Sequence, residues 1–247
     1  MTVNKWVGYT GKGFFGSSDT TVELSPDFWQ HAILLLIALI LSVAVHEFGH
    51  AWMATRLGDS LPAVQGRLTL NPVRHVDPVG TVVLPLIMLA TNAGLLGWGR
   101  PVLTNPANYT RKIARSTGHM LVALAGPGMN LLMALLVSLL IVIGARTGMV
   151  DEELASQLNR YLVQLNLILM FFNLLPIPPL DGGAVLAWVL PRSMHGVMDF
   201  LSRWGFMVLI GMLVIPVQGQ PILGHVFRPA YYLIGIWTES FWGLAGL

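Results

Sequence analysis

Long apolar stretches separated by short polar loops dominate the chain from residue 28 onward. Those long enough to cross a bilayer as helices cover residues 28–55, 119–145, 156–175, 197–217 and 230–247. At a rise of about 1.5 Å per residue, about 20 helical residues span the hydrocarbon core of a membrane. The pattern therefore predicts an all-α polytopic membrane protein, a bundle of about five transmembrane helices.

A shorter apolar run, Gly80 to Leu96, is barely long enough for one crossing. Basic residues flank it on both sides: Arg56, Arg67 and Arg74 before it, and Arg100, Arg111, Lys112 and Arg115 after it. Cytoplasmic loops carry the excess of Lys and Arg, so both flanking loops are expected on the same side. We predict a re-entrant segment that enters the membrane and returns.

Two further segments differ from the helical pattern. Residues 65–72 alternate apolar and polar side chains, which predicts a short membrane-associated β-hairpin. Residues 1–27 are polar, lack the apolar core of a signal peptide, and are expected to be exposed. We divide the chain into this segment, a transmembrane core over residues 28–190, which carries the motifs described below, and C-terminal helices over residues 191–247.

Composition agrees with a membrane protein and narrows its partners. Hydrophobic residues make up 54% and charged residues 11% of the 247 positions, against about 25% charged in soluble proteins. A net charge of +2 is too small to indicate a nucleic-acid partner. With no cysteine, any metal must be held by His, Asp, Glu or water.

A metal-binding motif lies near the end of the first apolar stretch. Residues 46–50 read His-Glu-Phe-Gly-His. Since residues four apart share a helix face, His46 and His50 can hold one ion while Glu47 lies beside it, an arrangement typical of zinc peptidases. The alternative is a pair of buried structural histidines, but ionisable groups at membrane depth are usually functional.

A catalytic zinc needs a third protein ligand. Asp181 follows an apolar helix in the broken stretch Asn173–Gly183, which contains three prolines and two glycines. Such backbone must line a cavity, because lipid cannot satisfy its polar groups. Asp181 is therefore the predicted third ligand, with a helix cap as the alternative. The other histidines and Asp77 and Asp199 are interpreted as loop residues or, for His31, as too distant.

These motifs resemble the site-2 protease family, zinc metalloproteases that cut within membranes. His-Glu-Phe-Gly-His matches the first family motif, and residues 173–183 match its Asn-x-x-Pro-x-Pro-x-Leu-Asp-Gly pattern. The Gly-Pro-x-x-Asn of residues 126–130 also corresponds. We expect no crossing helix before residue 28, no inserted PDZ-like domain and no appended nucleotide-binding domain. The sequence therefore does not indicate what regulates the protein.

The resemblance implies zinc at His46, His50 and Asp181, Glu47 as the catalytic acid and base, and Asn173 in contact with substrate or the developing oxyanion. The implied substrate is a membrane-spanning protein segment. Zinc activates water in such sites, and a base such as Glu47 moves the protons. The implied location is the cell membrane, in a multi-pass protein whose active site faces the cytoplasmic side.

Candidate substrate-binding residues are Asn130 and the predicted strand, with Gly66, Leu68 and Leu70. An exposed strand edge holds an extended peptide by main-chain hydrogen bonds. The alternatives are helix packing for Asn130 and a hairpin that merely covers the site. For the whole protein, two other functions stay open: a zinc-binding chaperone or pseudoprotease without turnover, and a metal transporter. Glu47 disfavours the first, and the lack of a polar path along the first helix disfavours the second.

Overall fold

The computed structural model describes residues 26–90, 97–110 and 112–247. Of the predicted exposed segment 1–27, residues 1–25 lie outside the described residues. The α-helices in chain order are α1 (Pro26–Arg56), α2 (Leu61–Val64), α3 (Leu84–Ala90), α4 (Arg115–Arg146), α5 (Glu152–Leu158), α6 (Leu165–Asn173), α7 (Asp181–Val189), α8 (His195–Val214), α9 (Ile222–Val226) and α10 (Arg228–Ala245).

Among the described residues, three helices are long and apolar enough to cross a membrane: Phe28–Arg56, Arg115–Arg146 and Gly196–Val214. The chain is thus a mostly helical membrane protein, as predicted, but the described residues do not confirm a count of five crossings. The helix predicted at 156–175 is built from α5, a π-helical turn over Asn159–Gln164, and α6. The last predicted helix is α10, which carries Glu239 in its final turns.

Helix α4 forms the centre of the bundle. Its apolar face packs with α5, α6, α9 and α10 around a core that includes Ala134, Val137, Leu167, Phe227 and Ile234. On its other side α4 lies against α1, and these two helices run antiparallel because the 57–114 connection returns the chain to the end of α1. The buried faces of α1 and α4 therefore meet along their length.

The predicted hairpin at residues 65–72 is wrong. In the described residues, the strands are β1 (Pro216–Val217) and β2 (Gln220–Pro221), which pair antiparallel far from that segment. Gly66, at φ +67°, turns the chain after α2. The buried Arg67 guanidinium donates to the carbonyls of Arg74 and Arg100, and His75 Nε2 donates to the Thr69 carbonyl at 2.8 Å. The main chain of this segment bonds locally as well: the Arg67 N–H donates to the Pro62 carbonyl at 2.9 Å and the Thr69 N–H to the Arg67 carbonyl at 2.9 Å, so these groups do not form a strand ladder.

The two ends of the region predicted to be re-entrant lie next to each other in the structure. A π-helical turn over Pro78–Val83 continues into α3, and the chain comes back at Trp98. The Trp98 amide donates to the Gly80 carbonyl at 3.1 Å, and the Thr81 hydroxyl donates to the Trp98 carbonyl at 2.7 Å. Residues 91–96 of the predicted run lie outside the described residues. A segment whose two ends are hydrogen-bonded together has both ends on one side of the bundle.

We expect exposed positions before and after this segment to be labelled from the same side of a membrane. Because the native chain has no cysteine, single variants Arg74→Cys and Lys112→Cys should react with a membrane-impermeant maleimide from one side. Met149→Cys, in the exposed loop after α4, should react from the other side and serves as the control. Labelling of positions 74 and 112 from opposite sides would contradict the re-entrant topology.

Candidate metal centre

Helix α1 presents the His-Glu-x-x-His motif toward the interior of the bundle. The four-residue spacing brings the His46 and His50 rings together, with centroids 4.6 Å apart and the two Nε2 atoms 3.0 Å apart. His46 and Glu47 are both buried, at 8% and 9% exposure. Two imidazole nitrogens thus converge on one point inside the protein.

Helix α4 approaches this face closely because small residues lie at the contact. A Cβ atom added to Gly126 would lie 2.4 Å from the His50 ring and 2.7 Å from the His46 ring. A Cβ on Gly49 would lie 2.5 Å from the carbonyl oxygen of Ala125. Small residues at these two positions therefore permit the close contact, and any larger side chain at either glycine would separate the two helices.

Asp181 reaches the same point from the broken stretch after α6. It is the first residue of α7, and its carboxylate oxygens lie 3.2 Å from His46 Nε2 and 3.4 Å from His50 Nε2. The turn needs the two following glycines, since a Cβ on Gly182 would lie 2.3 Å from the Leu174 and Leu175 carbonyls. The structure thus brings together the three predicted ligands.

The donor set and its surroundings fit a zinc ion. One potential ligand atom from each of His46, His50 and Asp181 lies within 4.8 Å of the others. His50 Nδ1 donates to the Val122 carbonyl at 2.8 Å and His46 Nδ1 to the Asn130 side-chain oxygen at 2.6 Å, so each ring presents Nε2. Asp181 Oδ2 is buried, and no donor among the described residues reaches it with hydrogen-bond geometry. A cation at this point would satisfy that oxygen.

Glu47 faces a cavity of about 620 Å³ beside the ligands. Its Oε2 accepts the main-chain N–H of Val102 at 3.1 Å, and no donor among the described residues reaches Oε1. Asn173 also lines this cavity, while its side-chain amide donates to the Leu169 carbonyl at 3.0 Å. Both residues predicted to act in catalysis therefore border one cavity with the metal ligands.

The predicted substrate-binding residues do not gather there. Gly66, Leu68 and Leu70 are not among the residues that line the cavity, and the two leucines are exposed on the surface. Asn130 is fully buried, at 0% exposure, behind His46. The structure places Asn130 next to a ligand rather than at the cavity wall.

Sequence reasoning missed several residues that line the cavity. They are Gly97, Trp98, Gly99, Pro101, Val102 and Thr104 of the returning segment, His119 of α4, and Met198 and Ser202 of α8. The Gly-Trp-Gly-Arg-Pro-Val sequence of residues 97–102 indicates a non-helical piece but carries no signal for a cavity wall. His119 could have been found because it lies three and seven residues before Val122 and Gly126, on the α4 face that meets the histidines.

Comparison with known proteins agrees with this site. The model of Peptidase family M50 matches residues 34–214. A Bacillus subtilis protein named "Putative zinc metalloprotease YwhC" is 39% identical over 189 residues, which cover 74% of this chain and 81% of that protein.

Two mycobacterial relatives carry the name "Putative zinc metalloprotease Rip2". The one from Mycolicibacterium smegmatis is 30% identical over 191 residues, covering 76% of this chain and 69% of the relative. The one from Mycobacterium tuberculosis H37Rv is 31% identical over 199 residues, covering 79% and 72%. No solved structure matches the chain. The match to the family and its relatives, together with the His-His-Asp site, leads to one assignment: the chain belongs to Peptidase family M50, the site-2 protease family, whose cofactor is zinc.

Proposed function

We propose that this protein is a zinc endopeptidase that cleaves membrane-spanning segments of protein substrates. The observation that carries the proposal is the meeting of His46, His50 and Asp181 with Glu47 at one cavity. Residues of α1 and α4, which both have the length and apolarity of membrane spans, contribute to the lining of that cavity. A hydrolytic site built into two such helices suits a substrate that is itself in the membrane.

Each residue has a proposed role in hydrolysis. His46, His50 and Asp181 hold the metal, and zinc, when bound, acts as a Lewis acid that activates water for attack on a peptide carbonyl. Glu47 is the proton carrier: the Val102 N–H holds Oε2, which leaves Oε1 to take a proton and to deliver it to the leaving amine. Asn173, on the cavity wall, is placed to contact the substrate.

The returning segment, rather than residues 66–70, offers an edge for an extended substrate. The amides of Trp98, Arg100 and Val102 donate into the protein, to Gly80, His75 and Glu47. The amides of Gly99 and Leu103, which alternate with these, have no partner in the described residues, and Pro101 has no N–H to donate. This alternation is that of an edge strand, which presents every second residue's N–H and C=O to a neighbouring chain.

An unwound substrate strand at this edge would lie beside Glu47. Gly99 borders the cavity, and a Cβ added there would lie 3.4 Å from Cγ of Glu47. Main-chain pairing binds a peptide regardless of its side chains, so it suits an enzyme whose substrates differ in sequence. The basic residues around α1's end favour the cytoplasmic side of the cell membrane for this site.

Glu47→Gln is expected to keep zinc while lowering peptide cleavage at least about a hundredfold, because a neutral amide cannot accept the proton. Asp181→Ala should lose both zinc and activity, whereas the matched Asp199→Ala, on the exposed face of α8, should keep both. Metal analysis and mass-spectrometric mapping of a reconstituted single-span peptide provide the measurements. Cleavage confined to the substrate's water-exposed ends would reject intramembrane cleavage, and full zinc in Asp181→Ala would reject the third ligand.

Leu103→Pro tests the proposed edge, because proline removes the unpaired N–H while leaving the Val102 amide on Glu47. We expect cleavage of the same peptide to fall by about three- to tenfold, the effect of one lost hydrogen bond, with zinc content unchanged. Leu103→Ala removes the side chain but keeps the N–H, and should cleave at the native rate. Native cleavage by a folded Leu103→Pro variant would rule out pairing at Leu103.

A further inference from the structure

Three buried polar side chains from three helices form a chain of hydrogen bonds behind the metal ligands. They are Ser42 on α1, Asn130 on α4 and Asn166 on α6, and each has 0% exposure. The chain ends at His46, whose Nδ1 lies 2.6 Å from Asn130 Oδ1. Within the part of the chain that the structure describes, His46 is the one titratable side chain that takes part, so the other groups are held by their own donors and acceptors.

The orientation of the Asn166 amide follows from a main-chain carbonyl. Its Nδ2 lies 2.7 Å from the Leu162 carbonyl oxygen, which can only accept a hydrogen bond. The same Nδ2 lies 2.8 Å from the Ser42 hydroxyl. The Oδ1 atom must therefore face Asn130, whose Nδ2 donates to it at 2.8 Å.

A second carbonyl determines the orientation of Asn130. The second hydrogen of Asn130 Nδ2 points to the Ser42 carbonyl oxygen at 3.2 Å, again an atom that only accepts. If the amide were reversed, Oδ1 would face two acceptor atoms, and both contacts would become repulsive. Asn130 thus presents its oxygen to His46, and His46 must place its proton on Nδ1.

We propose that Asn166 and Ser42 are positioning residues that, through Asn130, set the tautomer of His46 so that Nε2 is free to bind zinc. This inference rests on the zinc site proposed above. His50 needs no such relay, because its Nδ1 donates directly to the Val122 carbonyl, which has no alternative orientation. An amide partner could rotate by half a turn, and the two carbonyls prevent this rotation.

Zinc affinity of the purified full chain, measured by competition with a chromophoric chelator, tests the relay. Asn130→Leu should weaken zinc binding by about ten- to a hundredfold, the usual effect of losing a partner of a ligating histidine. Asn166→Leu should weaken it by about tenfold and Ser42→Ala by a few-fold. The matched control is Ser138→Ala, a buried serine on α4 bonded to Ala134 and Trp237, which should bind zinc as the native chain does.

Two further variants separate the relay from simple packing. The double variant Asn130→Leu/Asn166→Leu should bind zinc no more weakly than Asn130→Leu, because Asn166 acts only through Asn130. Asn130→Asp keeps an oxygen toward His46 but turns a second oxygen onto the Ser42 carbonyl, so its affinity should also fall. The d–d absorption of the Co²⁺-loaded variants should show the altered coordination, which a mere loss of thermal stability would not produce.

The outcomes are distinct. Native zinc affinity in Asn166→Leu, additive losses in the double variant, or native affinity in Asn130→Asp would each overturn the relay. Zinc binding unaffected by His46→Ala would instead reject the proposed metal site itself. If Asn166→Leu does not fold, the zinc affinities of Ser42→Ala and Ser138→Ala are compared instead. Equal zinc affinities in these two variants would reject the relay.

Discussion

The close contact between α1 and α4 is the constraint on which the rest of the molecule depends. Gly49 and Gly126 let the two helices approach so near that the histidine rings lie directly over the α4 backbone. At that distance the Val122 carbonyl and the Asn130 amide reach the Nδ1 atoms of the ring pair. In lipid there is no water to replace these partners, so the polar face of α1 is stable only while α4 covers it.

The broken backbone after α6 brings the Asp181 carboxylate to the two histidines. A continuous helix would carry residue 181 far beyond the histidines, whereas the turn over residues 174–180 brings it back to them. Gly182 and Gly183 pack against the Leu174, Leu175 and Pro178 backbone, where a side chain would collide. The irregular main chain is covered by protein and lines the cavity, as membrane depth requires.

Two buried charged side chains, Asp59 and Arg67, hold the returning segment in place beside the site. Asp59, at 0% exposure, accepts the Asn105 amide at 2.6 Å and the Asn108 side chain at 2.9 Å, and so fixes the far end of that segment to the end of α1. Arg67 holds its middle through the Arg100 carbonyl. Residues 97–105 therefore lie beside Glu47 because charged side chains on both sides bind their main chain, not because they belong to a sheet.

The sequence by itself predicted a mostly helical membrane protein and the three residues that the structure brings together as a possible metal site, because both depend on short-range patterns. Apolar length sets a membrane helix, and the four-residue spacing sets which two histidines share a face. The carboxylate that meets the two histidines was also predictable, since three prolines and two glycines after an apolar helix require a covered cavity. The hairpin predicted at residues 65–72 was wrong because local alternation says nothing of long-range partners: the Arg67 side chain binds the Arg74 and Arg100 carbonyls, and His75 binds the Thr69 carbonyl. The position of Asn130 behind His46, its links to Ser42 and Asn166, and the edge at residues 97–104 were decided only by the tertiary structure. Each of these joins residues far apart in the chain, and which donor meets which acceptor is settled by how closely the helices pack.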